Sequence, residues 1–363
     1  MPRRMVHDRW LFYGAGLLAL GGAFLVGSAS NYVALGAAED PSAFLWKHLL
    51  HLGLGFFGLL VAQSYDYRQL ADDRRVRTLL IATTALLLLV LAMPAANGAH
   101  RWFLIGPFRF QPSELAKLVT IVFLARLLAR KEEHVNEPWA VTIPAAIVVG
   151  GLAFLVVIEP DLGSAVMLAL VAAVMLFAAG LSWRSIGFAA AAGAASFVLA
   201  VLVEPYRLDR IRGFLAPSTD VQGLNFQLQQ SLIAVGRGGL TGIGLGQGQQ
   251  KAFYLPAAHT DFIFSVVGEE LGLLGTLLLL GAFLLLFWRG MRAALRAPDR
   301  FGFYLALGIT HLIVLQALVN MCVCLGLLPT KGLPLPFISY GGSSLLMSMV
   351  ATGVLLNVSQ HSS

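Results

Sequence analysis

Long apolar runs separated by short polar breaks fill most of this chain. Runs begin near Trp10, Phe44, Thr78, Ser113, Trp139, Leu162, Ile186, Phe262, Phe301 and Ser343, and each is close to the ~20 residues a helix needs to cross a bilayer core. The pattern predicts an all-α polytopic membrane protein: about ten transmembrane helices in one domain, residues 1–363, with both termini on the same side. Pro and Gly interrupt several runs and blur their edges without changing their order. One stretch breaks the rhythm. Residues 204–260 are polar and Gly-rich, and predict a large extracytoplasmic loop between helices 7 and 8.

Composition agrees with this reading. Hydrophobic residues make up 58% and charged residues 12% of the chain, against roughly a quarter charged in soluble domains, and the mean hydropathy is +0.77. The net charge of +6 is distributed as a topology signal. With the N-terminus in the cytoplasm, about fourteen of the 25 Lys+Arg fall inside, against about four (Lys47, Arg101, Arg109, Lys331) in the short outer loops, as the positive-inside rule requires. No basic tract suggests nucleic acid. The first run, 11–33, follows a short basic segment as a signal peptide would, but no soluble domain follows it, so it reads as a retained helix. Cys322 and Cys324 are too close in sequence for an ordinary disulfide or a zinc site and read as packing residues.

Ionisable groups in a bilayer are costly and are therefore functional candidates. Asp261 closes the polar stretch at His259-Thr260-Asp261, immediately before an apolar run, so its carboxylate sits at the membrane interface. Glu269 and Glu270 lie roughly 12 Å further along the same helix and read as buried structural acids. On a helical wheel Asp261, Ser265, Gly268 and Gly272 share one stripe, which suits a groove where a substrate approaches the backbone. Glu159-Pro160-Asp161 is a tight outer turn that adds two carboxylates at the depth of Asp261.

The basic candidates lie in two outer elements. Arg207, Arg210 and Arg212 open the long polar stretch, followed by an amide-rich segment at 225–231 and a Gly-rich run at 236–242. Arginine forks and glycine amides suit a diphosphate; the alternative is a flexible, solvated loop. Gln111-Pro112-Ser113 starts a helix whose Glu114 and Lys117 face each other at i, i+3. That pair is either a self-neutralising ion pair or, with Arg101 and Arg109, part of a cationic surface for an anionic lipid headgroup. Residues 328–344 hold three prolines and three glycines among apolar residues. They describe a re-entrant segment, tolerated at membrane depth only where it is buried in protein or lines a cavity. No GxGxxG in a βαβ context and no GxxxxGK[ST] occurs, so nucleotide-binding folds are not indicated.

The motifs Pro329-Thr330-Lys331-Gly332, Leu335-Pro336-Phe337-Ile338-Ser339-Tyr340-Gly341-Gly342-Ser343-Ser344, His259-Thr260-Asp261-Phe262 with Glu269-Glu270-Leu271-Gly272, Gln111-Pro112-Ser113-Glu114 and Glu159-Pro160-Asp161-Leu162-Gly163 resemble the SEDS family of bacterial shape, elongation, division and sporulation proteins. The resemblance covers nearly the whole chain. Its Pro-Thr-Lys-Gly form is similar to the division branch more than to the elongation branch. It implies a peptidoglycan glycosyltransferase of the bacterial cytoplasmic membrane, acting on the outer side on lipid II, the undecaprenyl-diphosphate-linked precursor, to build β-1,4 glycan strands at the septum.

In that family Asp261 matches an essential aspartate, and an inverting transfer needs a general base of this kind. Arg101, Arg109, Lys117, Glu114, Arg207, Arg210 and Arg212, with Ser339, Gly341 and Gly342 of the re-entrant segment, are the substrate-binding candidates. A divalent cation (Mg or Mn) is a candidate helper at the diphosphate, but no DxD motif is present, which leaves metal dependence open. The implied partners are a class B penicillin-binding protein as transpeptidase and other membrane proteins of the division machinery. Two alternatives stand beside this reading: a lipid II transporter, weakened by the lack of an obvious inverted repeat, and a non-catalytic scaffold.

Overall fold

The computed structural model describes residues 8–37, 41–94, 99–106, 108–215, 224–250, 255, 258–330 and 332–362. Arg3, Arg4 and Lys331 lie outside them. Each of the ten apolar runs forms a helix: α1 Arg9–Ala37, α2 Pro41–Ser64, α3 Asp73–Val90, α4 Pro112–Arg130, α5 Ile143–Ile158, α6 Leu162–Ala178, α7 Trp183–Val203, α10 Ile263–Leu295, α11 Arg300–Cys324 and α12 Gly342–His361. Among the described residues seven of these, α1, α2, α5 with its preceding turn, α7, α10, α11 and α12, are long and apolar enough to cross a membrane. The protein is a multi-pass membrane protein. Starts follow local chemistry: Asp161 caps α6 by accepting from Ser164 N, Ser182 caps α7, Asp299 caps α11, and Pro112 opens α4.

The bundle has two chemically different ends. At one end arginines pair with acids: Arg126 and Arg130 with Asp73, Arg68 with Asp299, Arg289 with Asp8 and Arg300 with Glu132. Asp8 N also donates to Ser359 Oγ, so the start of α1 and the end of α12 meet there. The opposite end carries a short hairpin, β1 Phe103–Ile105 paired antiparallel with β2 Phe108–Phe110, and the residues around Asp261.

The polar stretch at 204–260 contains two helices that its composition hid, α8 Pro205–Leu215 and α9 Leu224–Gly238. α9 docks on the first half of α10, with Leu228, Ala234 and Ser231 buried. The Gly-rich run spans the end of α9 and the residues after it. It stitches a break in α10. Gly272, at φ 66° and ψ −160°, occupies a region essentially restricted to glycine and interrupts the helical ladder. In an unbroken helix the amides of Leu273 and Leu274 would reach the carbonyls of Glu269 and Glu270. Instead they donate to Gly239 O at 2.9 Å and Leu240 O at 3.1 Å, while those two carbonyls accept from Ile243 N and Gly244 N, each at 3.1 Å. All four backbone groups are satisfied, as a bilayer demands. The fit leaves no room for a side chain: a Cβ on Gly242 would fall 2.1 Å from Glu270 O.

The stitch also places the two buried acids. Glu269 Oε1 accepts from Gln249 N and Gln250 N, and Glu270 accepts from Ser28 Oγ, so both hold chain segments together, as their structural reading expects. The small-residue stripe is likewise occupied. Gly268 meets Val235 and Gly238 of α9, and Ser265 hydrogen-bonds Ser231, so this face is covered by α9 and is no groove for substrate.

Candidate active site

Asp261 lies in the turn that leads into α10, and its backbone is clamped from α11. Asn320 Nδ2 donates to Asp261 O at 2.8 Å and to Leu333 O at 2.7 Å. One buried amide thus ties the aspartate turn to the re-entrant segment. The carboxylate faces Gly332 of that segment, where an added Cβ would come within 3.2 Å of Oδ2. Beside it, Tyr340 N donates to His259 O at 2.8 Å and the two rings pack 5.6 Å apart. Burial pushes the Asp261 carboxyl up to about 6; Asp161 adds to this, and Arg210 and Arg101 oppose it. Such a carboxylate is ionised at neutral pH and more basic than an ordinary aspartate.

The two arginines whose charge reaches Asp261 are held by backbone carbonyls. Arg210, on α8, donates from Nη1 to Thr330 O at 3.1 Å. Arg101 donates from Nε to Glu159 O at 3.0 Å and from Nη2 to Pro160 O. These contacts fix the positive charges on the rim and leave Asp261 out of a direct ion pair with either. Arg207 instead donates to Ala200 O and Val157 O and pins α8 to the ends of α7 and α5. Arg212 is exposed and lies 3.8 Å from Asp209. Arg109 is exposed on β2, and its carbonyl accepts from Ser343 Oγ.

Lys117 and Glu114 are both buried. Lys117 Nζ donates to Glu114 Oε1 and to Gln316 Oε1, each at 2.8 Å, and Gln316 Nε2 donates onward to Pro334 O at 2.9 Å. The pair therefore supports the re-entrant segment from beneath and presents no charge at the surface. Ser339 is buried too, accepting from Leu335 N at 2.7 Å, so it shapes the loop. Gly341 caps α12, and Gly342 lies against the His51 ring.

The acidic turn divides its two carboxylates. Asp161 is fully engaged, accepting from Gln111 Nε2, Ser113 Oγ and Ser164 N. Glu159 is completely buried, and neither carboxyl oxygen has a hydrogen-bond partner. Burial first and Asp161 second push it up to about 8, against Arg101, so it is neutral at pH 7. Among the described residues no group of three His, Cys, Asp or Glu side chains converges to hold a metal.

Asn320 and Gln316 were not among the sequence candidates. Their signal was present: two amides one helical turn apart in an otherwise apolar helix, a placement that in membranes marks hydrogen bonding across helices.

A mostly helical membrane bundle with a buried Pro- and Gly-rich segment, a raised aspartate and two arginines near it at one end defines a polytopic membrane protein with a candidate site at that end. The FtsW/RodA/SpoVE family model, described as cell cycle protein, matches residues 8–363. The chain belongs to this family. It is 42% identical over 342 residues to the "probable peptidoglycan glycosyltransferase FtsW" of Trichlorobacter lovleyi, covering 93% of this chain and 89% of that protein. It is 41% identical to the stage V sporulation protein E of Bacillus subtilis, covering 95% of each. Among solved structures it resembles a chain of a peptidoglycan synthase complex described as coordinating polymerisation and crosslinking, with a TM-score of 0.79, 31% identity and 98% of both chains covered.

Proposed function

We propose that this chain is a peptidoglycan glycosyltransferase that polymerises lipid II into β-1,4 glycan strands on the outer side of the cytoplasmic membrane, with Asp261 as general base. The observation that carries the reading is a carboxyl raised to about 6 on a turn clamped against a re-entrant segment, with Arg101 and Arg210 in electrostatic reach. The acceptor's 4-hydroxyl gives its proton to Asp261 as its oxygen attacks the anomeric carbon. The bond to the diphosphate breaks with inversion, and the leaving group carries the electron pair away. Arg101 and Arg210 stabilise the charge that develops on the diphosphate. Arg109 and Arg212, exposed at the same end, extend the positive surface outward.

Naming relatives as FtsW and as a sporulation protein at similar identity supports a role in division or a related septal process. The chain of a peptidoglycan synthase complex among its structural neighbours supports assembly with a crosslinking partner, a class B penicillin-binding protein. Reconstitution in vesicles with lipid II tests the proposal. Polymer supports it; passage of lipid II across the bilayer without polymer would identify a transporter; inactivity except as a recruiter of a separate polymerase would identify a scaffold.

A further inference from the structure

At the end of the bundle remote from Asp261, the start of α1 and the ends of α10 and α12 border an open cavity of about 330 Å³. α10 spans 33 residues between the two sites, roughly 50 Å of helix. The lining includes Arg9, Arg289, Arg292, Arg296, Trp10 and Ser359. Asp8, the one acid on the wall, is fully engaged. Its Oδ1 caps α1 by accepting from Trp10 N and Leu11 N, and its Oδ2 accepts from Arg289 Nε at 2.8 Å. Among the described residues Arg9, Arg292 and Arg296 have no acidic partner. The helix dipole accounts for Arg292 in the last turn of α10. It does not account for Arg9, which comes from a different helix and from its positive end.

The surroundings point to the ligand. Trp10 and Trp288 are 61% and 58% exposed at this level, where indole rings mark the depth of lipid headgroups. Leu17 and Leu20 on α1 and Leu284 on α10 are also exposed and give the walls leading to the cavity an apolar surface for acyl chains. Basic cavities between transmembrane helices on the arginine-rich side of a bundle recognise anionic headgroups. We propose that this cavity is a binding site for the phosphodiester headgroup of an anionic phospholipid, with Arg9, Arg292 and Arg296 as its cationic contacts and Arg289 held in place by Asp8. The volume lies within the range of small-ligand sites. The site is separate from the polymerisation centre and uses none of its residues.

Native mass spectrometry of the full chain, titrated with phosphatidylglycerol or phosphatidylcholine of identical acyl chains, tests the proposal. The wild type should retain phosphatidylglycerol preferentially. R292Q/R296Q should bind it about thirtyfold more weakly and R9Q about fivefold more weakly, the usual worth of basic side chains near an anionic lipid, with phosphatidylcholine unaffected in both. Unfolding midpoints check that each variant is folded, and R9Q, which leaves α10 untouched, decides if the double variant is not. Equal retention of the two lipids, or a preference unchanged in the folded variants, would overturn the site. Displacement of the lipid by low-millimolar inorganic phosphate, with no requirement for acyl chains, would reassign it to a soluble anion and overturn the lipid assignment.

Discussion

Lys117→Met removes one member of an ion pair whose side chains are only 1% and 6% exposed. The remaining carboxylate of Glu114 would be left buried in the bundle without its cation, and Gln316 would lose one of its two contacts. Breaking a buried pair in this way costs about 3 to 5 kcal/mol, mostly the penalty for the stranded charge. Glu114→Gln strands the ammonium and should cost a similar amount. The double variant Glu114→Gln/Lys117→Met strands neither charge and should recover most of the loss, so that it is far more stable than the sum of the two single losses would make it. Unfolding of the purified protein in detergent, followed in parallel for all four species, measures this. The result that would refute the reasoning is a pair of single variants that unfold like the wild type and differ only in affinity for lipid II. Lys117 would then be a substrate ligand and the buried chain Glu114, Lys117, Gln316, Pro334 would have no structural role.

Three further outcomes are expected. With its carboxyl lifted from the ordinary 3.8 to about 6, keeping Asp261 ionised at pH 7 costs the fold about 3 kcal/mol. Wild-type stability from this group is therefore full below pH ~4 and lost as pH rises through about 6. Asp261→Asn should thus unfold later than wild type at pH 7 and show no gain at pH 4. Polymerisation rate should fall with an apparent pKa near 6 as pH drops, and Arg210→Ala should move that inflection upward, since Arg210 holds it down; a pH profile of the initial rate reads both. Gly242→Ala would drive a Cβ into the Glu270 carbonyl, and should reduce the yield of folded protein, whereas Gly236→Ala, with open space at its Cβ, should be tolerated.

Much of this architecture could be read from hydropathy alone, because a bilayer forces each spanning segment to declare itself as an apolar run. Each of the ten runs contains a helix, seven of which, among the described residues, are long and apolar enough to span, and the i, i+3 spacing of Glu114 and Lys117 anticipated their pairing. Residues 204–260 were harder. α9 carries Leu228, Leu232 and Val235 at helical spacing, but amides between them lowered the apolar signal below what a membrane helix shows. The glycine stitch was illegible for a different reason. Its bonds run between backbone groups distant in sequence, and Gly239, Gly242 and Gly244 signal freedom without saying what they approach. The one available hint was Gly272 inside an apolar run, beside two glutamates. In the site, a carboxylate at the end of a polar stretch singled out Asp261. Which arginines would face it could not be read, since Arg210 and Arg207 stand three residues apart on α8 yet contact Thr330 and Val157 respectively.

The central claim is that Asp261 takes the proton of the acceptor hydroxyl during glycan polymerisation. The most direct measurement compares wild type and Asp261→Asn in the same vesicles, with lipid II as substrate and a class B penicillin-binding protein present, scoring both lipid II binding and the rate of polymer formation. The account predicts binding within about twofold and polymerisation slower by about two to four orders of magnitude. Polymer formed at a near wild-type rate by Asp261→Asn would contradict it.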